Sequence, residues 1–128
     1  MSLREGQSDS ATVLVVDDNQ AVARSLTRLL HREGYHVAAF GTGLEALSYA
    51  QGEPPDAAVV DIHLPDISGL ILSSKLRDLL GPTPPIIILS GDTSLENLKI
   101  LPHVGATYFL PKPLNSTLLL DQLRTLAG

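Results

Sequence analysis

The stretch AVVDIHLPDISG, residues 58–69, decides how the rest of the chain is read. Its apolar start has the composition of a buried strand, yet it ends on a carboxylate, Asp61. Three residues further on come Leu64 and Pro65, and Gly69 closes the stretch. An aspartate after a strand is an ordinary turn former. It is also how a sheet would hold a reactive carboxylate rigidly at the lip of a site. The choice depends on what the remaining strands bring to the same edge.

Outward from this stretch, strand-like and helix-like segments alternate. ATVLVV (11–16) is a short, continuous, β-branched run, typical of a strand covered on both faces. A helix follows with Val22, Leu26, Leu29 and Leu30 at helical spacing, and Gly34 stands where it would stop. YHVAAF (35–40) reads as a second strand, and the next helix opens with Thr42 and Glu45 in capping-box spacing and ends at Gly52. PPDAAVV supplies the third strand, and a helix with Leu72, Leu76, Leu79 and Leu80 on one face runs to Gly81-Pro82. PPIIIL (84–89) is the fourth strand, TSLENLKIL (93–101) a helix with a possible capping box from Thr93 to Glu96, and ATYFL (106–110) the fifth strand. LNSTLLLDQLRTLA forms the last helix. Five strands alternating with five helices predict a doubly wound α/β domain: a parallel five-stranded sheet with helices on both faces.

Composition narrows the function classes. At 128 residues, 44% apolar and 18% charged, the chain suits one globular domain. Aromatics at 4% leave the core to Val, Ile, Leu and Ala. A net charge of −5 argues against a direct nucleic-acid contact. The absence of cysteine excludes disulfides and thiolate metal sites. No run is long enough to span a bilayer, and the polar opening MSLREGQSDS lacks the apolar segment of a signal peptide. Residues 1–10 are expected to be a flexible tail, partly of recombinant origin, with the domain proper at 11–128, in the cytoplasm and away from membranes.

In such sheets functional groups gather beyond the carboxyl ends of the strands. There the sequence places Asp17 and Asp18 after strand one, Asp61 after strand three, Ser90 with Gly91 after strand four, and Lys112 followed by Pro113 after strand five. Singly, each has a plain structural explanation: Asp18 could cap a helix, Ser90 could belong to a turn, Lys112 could be solvated. Together, three carboxylates at one edge repel one another unless a cation or protons intervene. An all-oxygen donor set favours a hard ion such as Mg²⁺, which completes its shell with water and phosphoryl oxygens. Lys112 and Ser90 suit phosphoryl oxygens, and Asp61, on the central strand, is the best-placed nucleophile for forming an acyl phosphate.

With these residues in place, the chain resembles the receiver domain of bacterial two-component response regulators over residues 12–126. VLVVDDN is similar to the family's first strand and acidic pair, DIHLPDISG to its phosphoacceptor turn, IIILSGD to the strand ending on Ser or Thr, and GATYFLPKPL to the strand with Lys-Pro. The resemblance implies a flavodoxin-like sheet of order 2-1-3-4-5. It implies that Asp61 is phosphorylated by the phosphohistidine of a sensor histidine kinase or phosphotransfer protein. Asp17, Asp18, Asp61 and the backbone carbonyl of His63 would hold Mg²⁺, while Ser90 and Lys112 contact the phosphoryl group. Phe109 falls at the aromatic switch position, turning inward as Ser90 is drawn to the phosphoryl group, and the Lys112-Pro113 bond is expected to be cis. The surface of the fourth helix, fifth strand and fifth helix would then change its affinity for an output domain or downstream protein.

Other features depart from the common pattern. Pro102 is expected to shorten or kink the fourth helix. The fourth and fifth helices are poor in the charges that make the familiar dimer of winged-helix regulators, leaving a monomer or a phosphorylation-dependent dimer. Tyr108 reads as a packed tyrosine, with an exposed aromatic at a partner surface as the alternative. The His63 side chain could tune access to the acyl phosphate, while His31, His36 and His103 show no converging pattern. The resemblance implies a signalling domain rather than an enzyme, one that assists its own phosphorylation and dephosphorylation. Two alternatives remain: a degenerate receiver acting as a phosphorylation-independent binding module, and a small Mg²⁺-dependent phosphohydrolase. Against the first stands the complete set of Asp17, Asp18, Asp61, Ser90 and Lys112. Against the second, DDNQ stands where DxDx[ST] would be expected.

Overall fold

A computed structural model describes residues 10–91 and 105–124. The elements in order are β1 (Thr12–Val16), α1 (Gln20–Arg32), β2 (His36–Phe40), α2 (Gly43–Gly52), β3 (Ala57–Asp61), α3 (Gly69–Leu80), β4 (Ile86–Ser90), β5 (Tyr108–Pro111) and α4 (Ser116–Leu123). The helix expected at 93–101, with its capping box and Pro102, lies outside the described residues, as do residues 1–9 and His103.

All strand pairs are parallel, in the order β2-β1-β3-β4-β5. The continuous apolar runs are explained by the layers on either face. Val13, Val15, Ala57, Val59, Ile87 and Leu89 pack under Leu26 and Leu30 of α1 and Leu119 and Leu123 of α4. Their alternates Leu14, Val16, Ala58, Val60 and Ile86 pack under Ala46 and Ala50 of α2 and Leu72 and Leu76 of α3. Fully burying one such aliphatic side chain contributes about 1.5–3 kcal/mol, so the central strands stabilise the sheet more than the edges do. β2, at an edge, has no fully buried residue.

The helix ends follow local chemistry. Asn19, rather than Asp18, caps α1, accepting the amides of Ala21 and Val22 at 3.0 and 3.2 Å. Thr42 caps α2, and its hydroxyl meets Glu45 Oε1 at 2.9 Å. On α3, Leu72, Leu76 and in part Leu80 pack on the core, while Leu79 of the same stripe is exposed. One expectation on burial is corrected. Tyr108 is 44% exposed rather than packed, since β5 is an edge strand whose first residue lies outside the apolar layers.

Candidate functional site

Strand register brings the strand-end residues together. Val16 pairs with Val60, so Asp17 and Asp61 follow at the same level on adjacent strands. Asp61 pairs with Leu89, and Ser90 pairs with Pro111, one residue before Lys112. The carboxyl edge of a parallel sheet thus carries its polar residues on one side, as strand direction requires.

Asp17, Asp18 and Asp61 each place a carboxylate oxygen within 4.8 Å of the others. Asp17 and Asp61 are buried and Asp18 is exposed. At an effective dielectric near 20, unit charges at that separation repel by about 3–4 kcal/mol per pair. Part of this is offset by Lys112, whose Nζ stands 3.3 Å from Asp61 Oδ1 and 3.6 Å from Asp17 Oδ2. One ammonium does not balance three carboxylates. Burial pushes the Asp17 carboxyl above its ordinary value; the Asn19 amide, donating to Oδ1 at 2.9 Å, pulls it back, and the neighbouring Asp61 pushes it up again. Asp17 Oδ2 is buried with no hydrogen-bond donor among the described residues. A buried carboxylate oxygen without a donor, facing two further carboxylates, fits a divalent cation with a preference for oxygen.

The other sequence-predicted residues take these places. Ser90 is buried at the end of β4, and its carbonyl accepts the Lys112 amide at 2.9 Å. Lys112-Pro113 is a cis peptide. Phe109 is buried with Ile62 and Ile88 in a small cluster behind the site. His63 is exposed, and its amide donates to Asp61 Oδ1 at 3.4 Å. Among the described residues, a Cβ at Gly91 would meet nothing within 4 Å. His31 and His36 lie on the surface away from the carboxylates.

Sequence reasoning missed Asp66. Its carboxylate reaches back across the fold and accepts the amides of Gly43 and Leu44 at 2.9 and 2.8 Å. No spacing rule joins residues so far apart; an acid in the turn after a strand was the only sign.

A doubly wound parallel sheet with an acidic cluster and a lysine at its carboxyl edge suits phosphoryl-transfer chemistry. The chain belongs to the response regulator receiver domain family, whose profile matches residues 13–124. The response regulator MprA of Mycobacterium tuberculosis is 38% identical over 117 residues, which are 91% of this chain and 50% of that protein. The chain therefore spans about half the length of the curated relatives it matches. Among solved structures, the chemotaxis protein CheY4 of Vibrio cholerae has a TM-score of 0.83 at 32% identity, covering 91% of this chain and 98% of that one. A response regulator protein from Burkholderia pseudomallei, solved with a phosphorylated aspartic acid, a calcium ion and citrate, has a TM-score of 0.82 at 37% identity. That alignment covers 92% of this chain and 69% of that one. The protein is a two-component receiver domain of the CheY-like, flavodoxin-type fold. Among the described residues, no helix is long and apolar enough to cross a membrane.

Proposed function

We propose that Asp61 is the phosphoacceptor and that residues 11–128 form the receiver, preceded by a tail at 1–10. The observation that carries this reading is the approach of Lys112 Nζ to 3.3 Å from Asp61 Oδ1, within a cluster of three carboxylates. In the transfer, an Asp61 oxygen attacks the phosphorus of a phosphohistidine, the P–N bond breaks, and the imidazole leaves and takes up a proton. The product is an acyl phosphate on Asp61. Asp17, Asp18 and Asp61, with the backbone carbonyl of His63, would hold Mg²⁺, which supplies charge neutralisation for the incoming phosphoryl oxygens. Lys112 neutralises charge on the same side, and the Ser90 hydroxyl donates to the new oxygens. Aspartyl phosphate adds charge and acceptors at the sheet edge. Ser90 moves toward them and Phe109, already buried against Ile62 and Ile88, repacks beside it, altering the face formed by β5, the last helix and the predicted fourth helix.

The chain works as a signalling domain in the cytoplasm rather than as an enzyme on a separate substrate. A sensor histidine kinase or phosphotransfer protein supplies the phosphoryl group, and an output domain or downstream protein reads the changed face. The similarity to MprA over half of that protein's length supports such an arrangement. Binding of beryllium trifluoride with Mg²⁺, followed by ¹⁹F NMR, tests the acceptor assignment. Bound resonances are expected for the wild type and none for Asp61→Ala; bound resonances that survive in Asp61→Ala would contradict it.

A further inference from the structure

The loop between β3 and α3 is fastened at two places. At its inner end, the Gly69 amide donates to the Ile62 carbonyl at 2.8 Å, and Ser68 caps α3 through the Leu70 amide at 3.0 Å. A Cβ at Gly69 would strike the Asp61 carbonyl oxygen, so the loop closes tightly on the residue that carries the chemistry. These contacts resemble what any strand-to-helix turn needs. The outer fastening is different.

At the outer turn, Asp66 accepts the Gly43 amide on Oδ1 and the Leu44 amide on Oδ2, at 2.9 and 2.8 Å. These are the first two amides of α2. The next residue reinforces the contact: a Cβ at Gly43 would stand 2.7 Å from Ile67 Cγ1, so only glycine leaves room for Ile67 to seat. Thr42 provides the rest of the cap, its hydroxyl accepting the Glu45 amide and its carbonyl the Ala46 amide, both at 3.3 Å. The N-terminus of α2 is therefore capped by two partners, one local and one 22 residues away.

The distant partner links the two halves of the carboxylate cluster. On one side, the Asp17 amide donates to the Phe40 carbonyl at 3.0 Å, immediately before the turn into α2. On the other, the His63 amide donates to Asp61 Oδ1 from within the clamped loop. Resting on the receiver reading above, we propose that Asp66 is a positioning residue: it seats the β3–α3 loop on α2, fixes the His63 backbone, and so holds Asp61 in place against Asp17 and Asp18. It touches neither phosphoryl group nor cation. Its carboxylate acts through backbone that does, in the way outer partners of a metal site orient the ligands.

The test compares Asp66→Ala and Asp66→Asn with Thr42→Ala in the full chain. Thr42→Ala removes the local half of the same cap and leaves the β3–α3 loop untouched. Each alanine variant is expected to lower the urea midpoint, as loss of a cap does. Mg²⁺ affinity by titration calorimetry separates them. Asp66→Ala is expected to weaken it by roughly 10-fold and to shift the His63 amide resonance, with Asp66→Asn in between because it keeps one acceptor oxygen. Thr42→Ala is expected to retain wild-type affinity. If Asp66→Ala does not fold, Asp66→Asn decides by the same two readouts. Equal Mg²⁺ affinity in the wild type, Asp66 and Thr42 variants would overturn the positioning role while leaving the receiver reading intact. A wild type that binds no Mg²⁺ would overturn both.

Discussion

Ser73 shows how much a single side chain can depart from what its neighbourhood favours. It is fully buried on α3, beside the Leu72 that packs against the sheet, and its hydroxyl has no hydrogen-bond partner among the described residues. A buried hydroxyl without a partner costs about 1–3 kcal/mol in lost hydration, and alanine is the better helix former. Ser73→Ala is therefore expected to stabilise the domain by about 1 kcal/mol, read as a rise in urea midpoint with an unchanged slope. A lowered midpoint would mean that the hydroxyl is satisfied in solution. Sequence gave no warning of this residue, because its i, i+3, i+4 neighbours are a mixture of apolar and polar types. Asp17, Asp18 and Asp61 were legible for the opposite reason: charges stand out where apolar strands end. Asp66 was not, since its importance lies in amides 22 and 23 residues away.

At the scale of elements, Arg77 joins three of them at the amino edge of the sheet. Its Nε donates to the Gly105 carbonyl at 2.8 Å, and its Nη1 to the carbonyls of Gly81 and Pro84 at 2.8 and 2.7 Å. Nη2 reaches Thr107 Oγ1 at 3.2 Å, and that hydroxyl in turn accepts the Ile86 amide at 3.1 Å. The guanidinium thus bolts the end of α3 to the entrances of β4 and β5. Gly105 has a φ of +76°, and a Cβ there would stand 2.5 Å from Arg77 Cβ. Burial holds the guanidinium below its ordinary pKa. Arg77→Ala should cost about 2 kcal/mol, with Arg77→Lys intermediate because an ammonium cannot span the same fork of acceptors. Denaturant titration checks both, and a wild-type midpoint for Arg77→Ala would contradict the bolt. From sequence, Arg77 reads only as a basic residue in the last turn of a helix. The alternation of elements was legible because the strands are short apolar runs and the helices keep their stripe. A stripe of leucines, Leu79 among them, says which face is apolar, but not how much of it is covered.

Across the whole molecule, distant parts of the chain are tied by contacts that no local pattern encodes. The Tyr35 hydroxyl, just before β2, donates to the Leu123 carbonyl at the end of α4, at 3.1 Å. Burial, and then the charge of Glu33, raise its pKa above the ordinary value near 10. The folded state therefore holds this proton more tightly than the unfolded chain does. Its contribution is complete below the unfolded pKa and is lost as pH rises through the folded value. Tyr35→Phe should be less stable than the wild type at neutral pH, and the gap should narrow in alkaline solution. No gap at neutral pH would contradict the role of the hydroxyl, and a gap that did not narrow in alkaline solution would contradict the raised pKa. The β/α alternation made a parallel sheet legible at this scale, while its order, β2-β1-β3-β4-β5, was implied by the family resemblance alone. The convergence of Asp17, Asp18, Asp61 and Lys112 followed from that order and from strand direction together.

The central claim is that this convergence makes Asp61 a phosphoacceptor. Intact-mass spectrometry after incubation with acetyl phosphate, with and without Mg²⁺ and beside Asp61→Asn, tests it most directly. The account predicts one acid- and base-labile phosphoryl adduct that requires Mg²⁺ and is missing from the folded variant. An adduct that persists in Asp61→Asn, or forms equally well without Mg²⁺, would contradict it.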